Sequence, residues 1–225
     1  MDQEVPTVTR GEFDPLASQL AARDPDVRLM LEVGKDTPGA FEALVQRYQD
    51  RLVGILYHLV GNLQEAEDLS QDVFLRIYKA RKGYRPRARF STWLFAIAHN
   101  LALNHLRGKG RKPTVPIIIS RGTDSQAMAP IVQQLASREG SASSQMRKVE
   151  LTDVIRQALE VLGEDQKMAV LLSKFEEMSY AEIAEVMGRS PAAVKSLLAR
   201  ARNQLREQLE PYLASGQRNL GGTSA

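Results

Sequence analysis

The chain has 225 residues, 43% hydrophobic and 25% charged, a composition ordinary for a soluble globular protein and a length comfortable for two small cores. It has no cysteine, and its three histidines (His58, His99, His105) lack the spacing of a helical metal site, which excludes disulfides, thiolate metal centres and cysteine nucleophiles. The net charge of +3 is sharply partitioned: residues 1–72 hold 14 acids against 6 bases, residues 73–123 hold 12 bases and no acid, and residues 124–225 are near balance. A basic block of this length, interleaved with aromatics, is the electrostatic footprint of a polyanion, and nucleic acid is the expected partner. No apolar run is long enough to insert in a membrane, and the first 25 residues show no secretory leader, so a cytoplasmic location is expected.

In chain order, residues 1–24 read as a loose extension and 25–110 as a first helical domain. Phe41, Leu44, Val45, Tyr48, Leu52, Leu56 and Leu59 step by three and four along one helix, which Gly61 stops. Asn62 is placed to cap the next helix, whose apolar stripe is Ala66, Leu69, Val73, Ile77 and Ala80. Beside that stripe, Asp68, Gln71, Asp72 and Leu75 line a mixed second face; composition alone reads it as a solvated acidic face, and a docking role enters only with the resemblance given below. After Gly83 the segment Tyr84–Phe90 carries Arg85, Arg87 and Arg89, suited to phosphates. It runs into a helix capped by Ser91 or Thr92. Phe90 and Trp93 are candidates to hold unstacked bases, while Phe95 is expected in the core. Trp93 is equally suited to core packing. His99, Asn100, Asn104 and Arg107 on the same helix are candidates to reach base edges and backbone.

Residues 111–146 are broken by Pro113, Pro116 and Pro130 and read as a flexible linker, with Val115–Ile119 too short to build a sheet. Residues 147–212 form a second helical domain of four helices. In it, Ser179 and Glu182 form a capping box, Gly188 ends the helix, and Ser190 with Pro191 starts another. This is a helix-turn-helix. On its second helix Val194, Leu198, Ala201 and Leu205 make the buried face. Ala192, Lys195, Ser196, Ala199, Arg200, Arg202 and Asn203 lie outward, with Arg189 just before it, and suit a DNA groove. Residues 213–225 read as a loose tail. The fold class is all-α: two small helical domains on a flexible linker. No catalytic residues, metal site or cofactor is expected, since no phosphate loop, metal cluster or nucleophile–base pair is visible.

These blocks, in this order, resemble a bacterial alternative sigma factor of the extracytoplasmic-function group, over about residues 25–110 and 147–212. "AEDLSQDVFLRIY" is similar to the polymerase-clamp docking helix and "FSTWLFAIAHNLALNHLR" to the downstream-promoter-element helix. "SYAEIAEVMGRSPAAVKSLLARARNQLRE" is similar to the upstream-element helix-turn-helix. The resemblance implies a dissociable initiation factor without chemistry of its own. Core RNA polymerase would dock on Asp68, Gln71, Asp72 and Leu75. Downstream promoter DNA would meet Arg85, Arg87, Arg89, Phe90, Trp93, His99, Asn100, Asn104 and Arg107. Upstream promoter DNA would meet Arg189, Ala192, Lys195, Ser196, Ala199, Arg200 and Arg202. With no large sensory domain after the second half, control is expected from a separate partner, an anti-sigma factor. His99 stands where many members carry Arg, and Leu197 where an Arg often follows the Lys-Ser pair, so promoter preference does not carry over. The competing reading is a stand-alone helix-turn-helix regulator of duplex DNA, which leaves the first domain without a role. The linker, fully extended, reaches at most roughly 120 Å. Two sites two turns of DNA apart lie about 70 Å from each other, so one chain can engage both.

Overall fold

A computed structural model describes residues 15–109 and 154–220, and all regular structure among them is helical. The first domain comprises α1 (Pro15–Arg23), α2 (Pro25–Gly34), α3 (Ala40–Val60), α4 (Leu63–Ala80), a 3₁₀ turn (Arg81–Gly83) and α5 (Phe90–Lys109). The second comprises α6 (154–160, its start outside the described residues), α7 (Glu164–Phe175), α8 (Tyr180–Met187) and α9 (Pro191–Leu220). The linker 111–146 and the Val115–Ile119 segment fall outside the described residues.

Two of the expected boundaries are corrected. Within the supposed loose extension, Pro15–Arg23 is helical and packs on α2. The supposed tail continues the last helix to Leu220.

The expected stripes supply the cores. In the first domain Val27 and Met30 of α2, Leu44, Tyr48, Leu52 and Ile55 of α3, Val73 and Ile77 of α4, and Leu94, Phe95 and Ala98 of α5 are shut from solvent. Gly34 is required where α2 meets the 3₁₀ turn, because a β-carbon there would stand 2.9 Å from the Arg81 carbonyl oxygen. In the second domain Met168, Leu171, Leu172, Ile183, Val194 and Ala201 close a smaller core. The two cores meet: α7 packs on α3, and α8 packs on α5.

Helix starts show how the parts are positioned. The Asn62 side chain accepts from the Glu65 N–H at 3.0 Å, as its position predicts. In α8 the Ser179 N–H donates to Glu182 at 2.8 Å and Ser179 Oγ accepts from the Glu182 N–H at 3.3 Å, a complete capping box. Gly188 ends α8 in the left-handed conformation, φ 61°. Ser190 Oγ then accepts from Ala193 N–H at 3.2 Å to start α9.

The start of α5 departs from expectation. The helix begins at Phe90, and Ser91 and Thr92 lie buried inside it. Its cap comes from far away: Asp24 Oδ2 accepts from the Phe90 N–H at 3.0 Å. The other oxygen of Asp24 accepts from Asp26 N–H at 2.9 Å and caps α2. One carboxylate thus fixes two helix N-termini, where partial positive charge favours it.

Candidate nucleic-acid interface and docking groove

Three surfaces follow from these helices. On α4, Asp68, Gln71 and Asp72 are exposed and Leu75 is 49% exposed, an unusual degree for a leucine beside a core stripe. Gln71 and Leu75 open onto a groove of about 740 Å³ between α3 and α4, together with Phe41, Val45, Val53, Leu63, Phe74 and Tyr78. Phe41 and Tyr78 stack tilted at 4.9 Å to form one apolar wall, and Glu42, Asp50 and Glu67 make the rim acidic. Asp68, which accepts from Gln64 at 3.3 Å, and Asp72 lie outside the lining. The α3 contribution escaped sequence reading. Phe41 and Val45 count as core by periodicity, and Val53 lies outside the expected stripe, yet all three are only partly buried and face the groove. The available signal is the width of the apolar arc on α3, broader than one core-facing stripe requires.

The second surface is the basic segment before α5 with the exposed edge of that helix. Arg85, Arg87, Arg89, Asn100, Asn104 and Arg107 are exposed. Trp93 is half-buried, its ring 4.8 Å from Tyr84 and 6.0 Å from Phe90.

Phe90 is corrected. It is fully buried, edge-on to Tyr48 at 5.2 Å, and is a core residue rather than a base platform. Its place at the first turn, pinned by Asp24, turns the ring inward.

His99 is also corrected: it is 4% exposed, and neither ring nitrogen has a hydrogen-bond partner among the described residues. Burial holds its pKa below the ordinary value, assisted by Arg189 and Arg107 and opposed by Asp165. Asp165 and Arg189 belong to the second domain, so the side expected to face DNA faces protein.

The third surface is the outer face of α9. Ala192, Lys195, Ser196, Ala199, Arg200, Arg202 and Asn203 are all exposed, while Val194, Leu198 and Ala201 are buried beneath. The small Ala and Ser side chains leave the helix backbone open to close approach, flanked by the Lys and Arg side chains. Arg189, also exposed, pairs with Asp165 at the start of α7. No group of His, Asp and Glu among the described residues could hold a metal ion. No helix among them is long and apolar enough to cross a membrane.

Comparison with known proteins gives these surfaces a context. The sequence matches the family models for sigma-70 region 2 over residues 44–112 and for sigma-70 region 4 over residues 152–205. It is 31% identical over 194 residues to the RNA polymerase sigma-H factor of Pseudomonas aeruginosa, covering 86% of this chain and 98% of that one. It is 32% identical over 180 residues to the ECF RNA polymerase sigma factor SigW of Bacillus subtilis, covering 79% and 93%. In fold it is similar to CnrH in complex with the cytosolic domain of CnrY, with TM-score 0.57 and 21% identity over 84% of this chain and 99% of that one. It is likewise similar to the sigma factor RpoE in complex with the anti-sigma factor NepR from Bartonella quintana, with TM-score 0.56 and 23% identity over 76% and 98%.

Proposed function

The chain belongs to the ECF RNA polymerase sigma factors, and from that membership we propose how its surfaces divide the work of initiation. It is a transcription initiation factor and not an enzyme. It binds core RNA polymerase, directs it to promoters and assists opening of the duplex. The groove between α3 and α4, with Gln71 and Leu75 inside it and Asp68 and Asp72 beside it, docks the polymerase clamp. Apolar walls would give the affinity, and the acidic rim would select a basic partner and set the approach rate.

Arg85, Arg87, Arg89, Trp93, Asn100, Asn104 and Arg107 serve the downstream element, the arginines on phosphates and Trp93 as the aromatic platform. Arg189, Ala192, Lys195, Ser196, Ala199, Arg200 and Arg202 serve the upstream element through the major groove. An anti-sigma factor is the expected controlling partner, and the cytoplasm, where polymerase works, the expected location.

The observation that carries this reading is the presence on one chain of an exposed recognition face on α9 and an acid-rimmed apolar groove on α3 and α4. A stand-alone duplex-binding regulator has no use for the groove. The test is whether the purified chain comigrates with core polymerase and supports run-off transcription from a specific promoter. Gln71→Ala and Leu75→Ala should weaken comigration without lowering the melting temperature, since both side chains are exposed. Normal comigration of both variants would remove the groove from docking.

A further inference from the structure

We propose that the groove between α3 and α4 is a peptide-binding site whose occupant in the free chain is the chain's own segment 111–121, which core polymerase displaces when it docks. The consequence for polymerase rests on the docking role proposed above; the occupancy itself does not.

Groove and segment match in the order of their charges. Phe41 stacks on Tyr78, so α3 and α4 run antiparallel and the groove has two distinct ends. Towards the Leu63 end the rim carries Glu67 and Asp50; at the Tyr78 end it carries Glu42, and the floor between is apolar. All three carboxylates are exposed, and none makes an ion pair among the described residues. Residues 111–121 read "RKPTVPIIISR": two bases, an apolar run, one base and no acid. Laid from the Leu63 end, Arg111 and Lys112 meet Glu67 and Asp50, the run 115–119 covers Val53, Phe74 and Leu75, and Arg121 meets Glu42. Covering one apolar surface with the other removes both from water.

The lengths agree as well. α5 ends at Lys109, and one turn earlier His105 Nε2 lies 2.8 Å from Glu65 Oε2, so the chain leaves α5 beside the first turn of α4. Glu65 and Glu67 lie on opposite sides of α4, and the chain must pass round one helix, about 10–12 Å across. Residues 110–114 reach about 17 Å when extended. From Leu63 to Tyr78 the groove runs about 22 Å, and residues 115–121 reach about 25 Å. Pro113 and Pro116 disfavour helix and suit an extended peptide.

Other occupants from this chain fit less well. Residues 1–14 carry Asp2, Glu4, Glu12 and Asp14 against Arg10, which an acidic rim repels, and residues 127–136 are largely apolar but carry no base. The second domain is held elsewhere: Arg51, on the other side of α3 from Phe41, Val45 and Val53, donates through Nε to Glu176 Oε1 at 3.0 Å.

Photocrosslinking in the full chain tests the occupancy, with a benzophenone amino acid placed at Gln71 inside the groove or at Arg76 outside its lining. Gln71 should crosslink within the monomer to the peptide that carries residues 111–121, and Arg76 should not. Ile117→Asp with Ile119→Asp should cut the yield severalfold. Asp50→Lys with Glu67→Lys should do the same at exposed positions that leave the fold intact, and adding Arg111→Glu with Lys112→Glu should restore it. No crosslink, capture of a different segment, or a yield indifferent to both pairs of substitutions overturns the proposal. A crosslink only between two copies, rising with concentration, does so too.

Polymerase supplies the second measurement. The chain with Ile117→Asp and Ile119→Asp should comigrate with core polymerase at about tenfold lower concentration, because a larger fraction of its grooves is open. Unchanged comigration with the crosslink lost would uphold the occupant and overturn the docking role of the groove.

Discussion

The two DNA-reading helices, α5 in the first domain and α9 in the second, are positioned by opposite means. α9 is placed by residues beside it in sequence: Gly188 for the turn, Ser190 for the cap, Pro191 at the first position. α5 is placed by residues far away. Asp24 caps it across 66 positions, and Tyr48 and Tyr84 enclose its first aromatic. A helix fixed locally can present a whole exposed face. A helix fixed by long-range packing commits part of its face to the core, which is why Phe90 is hidden, and the second domain covers His99, while Ala192 to Arg202 are largely exposed.

Removing Phe90 should disturb the remotely positioned helix most severely. Phe90→Ala leaves a cavity among Tyr48, Tyr84 and Trp93 and should cost about 3–5 kcal/mol, enough to unfold a marginal domain. Phe90→Leu should retain most of the fold, and with it duplex opening. Urea unfolding together with permanganate footprinting measures both. Loss of opening in a well-folded Phe90→Leu chain would return this residue to the DNA face.

Acid should act next most strongly, and on the seam between the domains. His58 is buried with Nε2 unpartnered, and burial, then Lys167 of α7 and Arg156 of α6, push its pKa down to about 4. The folded state therefore resists a proton that the unfolded chain takes up near pH 6.5. Stability should be intact above pH 6.5 and fall as pH drops from 6.5 towards 4, by up to roughly 3 kcal/mol, then level off. His99, depressed in the same direction, adds to the loss. Thermal melts at pH 7 and pH 5 should differ clearly, and His58→Leu should flatten the difference. An unchanged slope would show that His58 is not what acid attacks.

A smaller effect tests the distant cap itself. Asp24→Ala removes acceptors from the starts of both α2 and α5, each worth about 1 kcal/mol, for a sum near 2 kcal/mol. Asp24→Asn should recover most of it, because Asn caps comparably. Equal loss in the two variants would mean that charge, and not the acceptor geometry, is what holds α5.

What could be read from the sequence follows the same division. The helix-turn-helix was legible residue by residue because its caps and its inward and outward faces all lie within 27 consecutive positions, Ser179 to Leu205. The α4 stripe and its mixed face were legible for the same reason of local period. The cap of α5 was not, because Ser91 and Thr92 carry a stronger local signal than an aspartate 66 positions earlier. Arg51 with Glu176 was invisible, since periodicity says nothing of a partner 125 positions away. The groove lay between these cases. Its α4 half showed as exposed Leu75, whereas its α3 half was absorbed into an apolar stripe assumed to serve one core.

The second domain also contains one residue that violates its own local rule, and this gives the smallest and most discriminating prediction. Glu177 follows α7 with φ 51°, the left-handed conformation that at Gly188 is met by glycine. An L-residue there costs roughly 1–2 kcal/mol, while glycine gives back roughly 0.5–1 kcal/mol through the freedom of the unfolded chain. Glu177→Gly should therefore stabilise the chain, by about 1 kcal/mol or less, read as a small rise in melting temperature. The turn it forms closes with the Met178 N–H donating to Leu172 O at 3.2 Å, and it carries Glu176 immediately before it. If the turn serves only to end α7, the glycine variant gains stability and the interdomain pair is unaffected. If the side chain at 177 stiffens the presentation of Glu176 to Arg51, the variant gains stability yet shows a broader interdomain distance distribution. A net loss of stability would mean that Glu177 makes a favourable contact outweighing the backbone cost.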